Sequence, residues 1–229
     1  MQFDYQYLTN SEQADKLLVF LHGYNNTYDE MYHIYKTFLS KVKNLAIIAP
    51  TGKYLSSTDT NRHSWWKISN FDVEGKRFKK ETSINEIINI YNKAGYLLLE
   101  VSVQLNEFID DVQKKYNFTD NQTYIAGFSQ GALLSIWVSL MRKNKIKGCF
   151  SFSGLLAAKS ELEGKICSKP KIYLFHGKQD KQVLYKCMEY SIKSLNEMGV
   201  ENISHSFENL IHEVSDTEIE LVSNVINKN

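Results

Sequence analysis

The sequence predicts an α/β fold, a mainly parallel central sheet with helices on both faces, built as a single domain over residues 1–229. Three observations predict it. Apolar runs of strand length alternate along the chain with stretches whose apolar residues recur at helical spacing. Three of the runs end in residues with chemical use (His22 and Gly23, Gly127 to Gly131, His176 to Asp180), as expected at the strand ends where ligands bind in open α/β sheets. No linker rich in proline, glycine or serine and no internal repeat divides the 229 residues, and their 43% apolar content suffices for one substantial core.

Taken in order, KLLVFLH (16–22) reads as the first strand and leads into an amphipathic helix over 28–42. NLAIIAP (44–50) is the second. The segment from about 51 to 82 has no clear period, carries adjacent tryptophans at 65 and 66, and is too long for a simple connection, so a functional loop is expected there. Residues 84–116 follow a long helical pattern with a break near Gly95. TYIAGF (123–128) is β-branched and aromatic, and the stretch after it places Leu133, Leu134, Trp137, Val138 and Met141 at helical spacing. GCFSFSG (148–154) and KIYLFHG (171–177) are further strands, followed by a helix over about 183–198, a short strand ISHSF (203–207) and a final helix over about 216–226.

A formal net charge of +1 makes no general electrostatic case for nucleic acid or a membrane surface. The basic runs KRFKK (76–80) and RKNKIK (142–147) read as solvated loops and helix ends. The N-terminal MQFDYQYLTN lacks the basic and apolar regions of an export signal, and no segment approaches the roughly 20 apolar residues that span a bilayer. Cys149, Cys167 and Cys187 are odd in number and have no C-x-x-C spacing, which fits reduced thiols. A cytoplasmic location is the expectation.

Between the strand at 123–128 and its helix stands Gly127-Phe128-Ser129-Gln130-Gly131. The pattern G-x-S-x-G is weak alone, but a strand before it and a helix after it are the context of a nucleophile elbow, a tight turn that lifts a serine hydroxyl above the sheet. A serine hydroxyl needs a base to take its proton and, usually, a carboxylate to hold that base in the right tautomer. In α/β-hydrolases the acid and then the histidine follow the serine in the chain. Of the histidines after Ser129, His176 precedes the acid candidate and reads as a packing or turn residue, and His205 lies in a short alternating strand. His212, in NLIHEVSD just before the last helix, can reach across the strand ends. Asp180, in HGKQDKQV, is the acid candidate; its other reading is a helix N-cap, while Glu213 and Asp216 read as caps of the final helix. Donors for an oxyanion are expected from the backbone N–H groups of Gln130 and Tyr24.

The blocks LHGYNN, IIAPTG, SWWKI, AGFSQGA, FSGLL, HGKQDKQV and HEVS together resemble the phospholipase/carboxylesterase family of α/β-hydrolases, over nearly the whole chain. The resemblance implies an α/β-hydrolase fold with Ser129 as nucleophile, Asp180 as acid and His212 as base. It implies a serine hydrolase, a carboxylesterase cleaving short- to medium-chain esters, with acyl-protein thioesterase or lysophospholipase as alternatives and no metal or cofactor. The partner implied is a small ester or acylated substrate, and a homodimer is left open. By the same resemblance Trp65 and Trp66 form an apolar wall of the acyl pocket, the other reading being that one of the pair anchors the loop to the core, and the absence of a visible lid implies an open groove. Three positions depart from the family pattern: Asn25 and Ile211 stand where glycine is usual, and Leu184 where proline is common. Asn25 and Ile211 are the support for a remote alternative, a binding protein on the same fold without catalysis.

Overall fold

The computed structural model describes residues 3–56 and 61–228; residues 57–60 of the expected long loop lie outside the described residues. The central sheet contains β1 (Tyr5–Thr9), β2 (Lys16–Leu21), β3 (Leu45–Pro50), β6 (Thr123–Phe128), β7 (Gly148–Phe152), β8 (Ile172–Gly177) and β9 (Asn202–Phe207). Their order is β1-β3-β2-β6-β7-β8-β9. All neighbours pair in parallel except β1, which runs antiparallel to β3. Between β3 and β6 a two-stranded ribbon, β4 (Tyr54–Leu55) with β5 (His63–Ser64), forms part of the long loop.

Successive side chains of a strand point to opposite faces, and β2 shows what that does here. Leu17, Val19 and Leu21 enter one core with α2 (Ile84–Asn92), α3 (Gly95–Tyr116), α4 (Gln130–Met141) and α6 (Tyr185–Glu197). Leu18 and Phe20 enter the other with α1 (Tyr28–Lys41) and α7 (Asp216–Lys228). The break near Gly95 separates α2 from α3, and a short α5 (Lys159–Glu163) follows β7. The long loop adds 3₁₀ turns at Ile68–Asn70 and Lys76–Phe78.

One strand was not foreseen, and two local expectations are corrected. The edge strand β1 had no apolar run to mark it; its Tyr7 ring instead stacks on Tyr116 of α3, centroids 4.3 Å apart. The cap of α7 is Ser215, whose amide and hydroxyl both donate to Glu218, rather than Glu213 or Asp216. The basic runs are not simply solvated. Arg142 is 5% exposed, because α4 is buried nearly all round and its C-terminus ends among acceptors: Asp120, Asp110, the Gln113 side chain and the Asn106 carbonyl. The Arg77 side chain is likewise drawn in, with only 9% of it exposed.

Candidate active site

The turn from β6 into α4 holds Ser129 at φ 53° and ψ −116°, a strained conformation for a residue with a side chain. The turn is anchored by the Ser129 amide, which donates to the Phe152 carbonyl of β7 at 2.9 Å. Its glycines are required by close approach rather than by backbone freedom. A Cβ on Gly127 would stand 2.1 Å from the Gly131 carbonyl, and one on Gly131 would stand 2.1 Å from the Leu21 carbonyl of β2. The loop after β2 lies alongside in ordinary contact, since a Cβ on Gly23 would fall 3.5 Å from that of Ser129.

His212 and Asp180 meet this serine. Ser129 Oγ is 2.9 Å from His212 Nε2, and His212 Nδ1 is 2.7 Å from Asp180 Oδ2. The loop carrying His212 rests on the end of β8, where a Cβ on Gly177 would stand 2.1 Å from the Leu210 carbonyl. Asp180 is not the helix N-cap of its other reading, since Leu184 holds that position before α6; its Oδ1 instead accepts the amides of Gln182 and Val183 in the preceding turn, while Oδ2 faces His212. Burial works to raise its carboxyl. Hydrogen bonds from His176 and His212 and from the Val183 amide outweigh that and hold it well below the usual carboxylate range. His176 is fully buried, its Nε2 2.8 Å from the Val183 carbonyl and 3.3 Å from Asp180 Oδ2, so the turn residue of the sequence reading also touches the carboxylate. His205 stacks on Phe175 away from the serine.

The loop after β2 is tied to the long loop by its backbone. Asn25 takes the left-handed φ of 52° that glycine usually supplies, and its amide donates to Ser64 Oγ at 2.9 Å. Asn26 exchanges backbone hydrogen bonds with His63, and Arg62 donates to the Asn25 carbonyl and pairs with Glu30. Ile211 has no such φ, so the position before His212 does not need glycine here. The Gln130 side chain holds the tryptophan pair, accepting the Trp65 amide at 2.9 Å and donating to the Trp66 carbonyl at 3.0 Å.

The tryptophans part company. Trp66 lines a cavity of about 310 Å³ with Ser129, His212, Phe71, Tyr91 and Leu133. Trp65 does not reach it: its ring stacks on His22 at 4.9 Å and its Nε1 donates to the His22 carbonyl, so it anchors the loop to the core. His22 is buried, Nδ1 bonded to the Gly23 carbonyl and Nε2 accepting the Gly52 amide. Burial lowers it to about 4, against the bond to Gly23, so it is neutral. Tyr24 and Gln130 also border the cavity, and the Gln130 amide, first in α4, has no acceptor within its own helix.

Sequence reasoning missed the Gln130 side chain, Ser64 and His22 as supports, and the contact of His176 with Asp180. The residues themselves stood in FSQG, HSWW, LHG and FHG, but nothing in their spacing revealed which backbone groups they would meet. Among the described residues, no group of three or more His, Cys, Asp or Glu side chains is placed to hold a metal ion, and no helix is long and apolar enough to cross a membrane.

Comparison with known proteins agrees with this architecture. Among curated relatives, Acyl-protein thioesterase 1 of Aspergillus fumigatus is 32% identical over 110 residues, 45% of this chain and 46% of that protein. Acyl-protein thioesterase 1 homolog 2 of Dictyostelium discoideum is 31% identical over 134 residues, 57% and 60% of the two chains. The chain thus spans about half the length of the curated relatives it matches. Among solved structures, esterase PE8 superposes with a TM-score of 0.84 over 100% of this chain and 99% of that one at 20% identity. SOBER1 of Arabidopsis thaliana superposes with a TM-score of 0.74 over 93% and 98% at 21%. These likenesses show a shared α/β-hydrolase fold. The family described as Phospholipase/Carboxylesterase matches residues 7–229, and the chain belongs to it.

Proposed function

We propose that the protein is a serine hydrolase, a carboxylesterase that cleaves esters of short to medium acyl chains through an acyl-enzyme within a single domain. The observation that carries the reading is the unbroken chain from Ser129 Oγ through both ring nitrogens of His212 to Asp180 Oδ2. With Asp180 ionised, His212 carries its proton on Nδ1 and turns the Nε2 lone pair to the hydroxyl. Ser129 loses its proton to Nε2 as it attacks the substrate carbonyl. The oxyanion rests on the Tyr24 and Gln130 amides, and imidazolium then protonates the leaving alkoxide. Water, deprotonated by the same nitrogen, releases the acid. Trp66 forms one wall of the acyl site.

A thioester enters the same sequence with a thiolate as leaving group, and the acyl-protein thioesterases among the relatives favour this as the second reading. We assign the reaction to the cytoplasm, a setting that suits the free thiols of Cys149, Cys167 and Cys187.

The test is labelling by a fluorophosphonate probe followed by a panel of p-nitrophenyl esters from acetate to palmitate. Wild type is expected to label and to turn over, and Ser129→Ala to lose the label with turnover reduced by roughly 10⁴-fold or more. Folded wild type that neither labels nor hydrolyses any ester would overturn the reading in favour of a binding protein.

A further inference from the structure

Arg77 borders the same cavity as Ser129. Its side chain is only 9% exposed, and neither Nε nor Nη1 makes a hydrogen bond. The guanidinium carbon lies 4.3 Å from the centroid of the Phe78 ring and 5.7 Å from that of Tyr91. Aromatic faces stabilise the charge without accepting its protons. Asp72 stands 3.4 Å from Nη1, but its Oδ2 forms no hydrogen bond, while its Oδ1 accepts the Lys76 amide at 2.7 Å. The pair attracts through space and leaves guanidinium donors unspent.

Buried N–H groups in that state are costly and rare, and a guanidinium is suited above other side chains to a planar carboxylate. Ile68, Phe71 and Leu133 line the same cavity. The site therefore combines a reactive serine, apolar walls that suit a carbon chain and a buried cation with free donors.

Resting on the hydrolase reading, the geometry points to Arg77 as the receptor for a carboxylate carried by the substrate remote from its ester bond. The substrate class is then monoesters whose chain bears a free acid, preferred over uncharged esters of equal length. Asp72 competes with that carboxylate and sets how strong the preference is.

The experiment compares matched substrates that differ by one carboxylate. On the acyl side, p-nitrophenyl adipate and suberate monoesters are set against hexanoate and octanoate, chains too long for the free acid to attack its own ester readily. On the alcohol side, the butyrate ester of 6-hydroxyhexanoic acid is set against hexyl butyrate. The reading is the ratio of kcat/KM for the acid to that for its neutral partner, so a general loss of activity cancels. In at least one pair the ratio should exceed one in wild type, fall ten-fold or more in Arg77→Gln, recover in part in Arg77→Lys and rise in Asp72→Asn. Ratios that stay the same across all four proteins in both pairs overturn the proposal, and Arg77→Lys with Asp72→Asn decide it should Arg77→Gln not fold. Fluorophosphonate labelling of wild type is run alongside. Labelling without a charge preference removes the Arg77 inference alone, whereas absence of labelling and turnover removes the hydrolase reading beneath it.

Discussion

Gln130 Oε1 accepts the backbone N–H of Trp65, while the same side chain donates to the carbonyl of the next residue, Trp66. One residue after the elbow serine thus fixes the loop that walls the cavity. Gln130→Ala leaves both loop groups buried without a partner and is expected to cost about 3 kcal/mol, read as a lower unfolding free energy in denaturant. Gln130→Glu keeps the acceptor and loses the donor, and it brings a negative charge beside the proposed oxyanion. Its kcat should fall at least ten-fold, and its stability should fall at least as far as in the alanine variant, because a buried carboxylate oxygen then faces the Trp66 carbonyl.

Asp180→Asn probes how the histidine is held. An amide in place of Oδ2 can present N–H to His212 and favour the tautomer that carries its proton on Nε2, facing the serine. Turnover of a p-nitrophenyl ester should drop by roughly 10⁴-fold, as expected when a triad carboxylate is lost. Circular dichroism should still report a folded chain, since asparagine can keep the acceptor for the Gln182 and Val183 amides.

At Asn25 the backbone φ of 52° predicts an ordering of substitutions. Asn25→Gly should leave the melting temperature and ester turnover close to wild type. Asn25→Val should cost about 1–2 kcal/mol for the left-handed conformation and should reduce turnover by loosening the Tyr24 amide. Equal melting temperatures for the glycine and valine variants would remove this account.

Glu218 gives the protein a pH-dependent stability. It is fully buried, its Oε1 has no partner, and burial pushes its carboxyl up to about 7 from an ordinary 4.5, partly offset by the bonds from Ser215 and the nearness of His176, with Glu213 adding a small push upward. Folded protein therefore keeps a proton that the unfolded chain has released. The stabilisation is fully present below pH 4.5 and is lost as pH rises through 7, a swing of about 3 kcal/mol at most. The melting temperature of wild type relative to Glu218→Gln should fall steadily between pH 5 and pH 8, and a constant difference would argue against a buried, proton-binding carboxyl.

What the chain displays openly is what burial on two faces writes into it. The strands at 16–22, 44–50, 123–128, 148–154 and 171–177 were legible because both sides of each need apolar residues. The edge strand β1 was not, because three of its five residues are exposed and its tyrosines match no run. Ser129, Asp180 and His212 could be picked out by type, order and place, and the structure brings them together. Trp65 and Trp66 could not be told apart, since adjacent residues of an irregular loop carry no period to say which faces inward. Arg77 was hidden for a different reason. Four lysines and arginines in five residues average to a solvated surface, and only tertiary folding of the 3₁₀ turn at Lys76–Phe78 sets one of them apart.

The buried Arg142 gives α4 a second fixed end. One terminus of that helix is the elbow, and the other is gripped by Asp120, Asp110, Gln113 and Asn106. A reactive group mounted on such a member has no cheap local route to disorder, because releasing the serine means withdrawing a helix that forms the middle of the core. Heat inactivation and loss of secondary structure should then coincide in one cooperative event, and a mild denaturant should not erode turnover ahead of the fold.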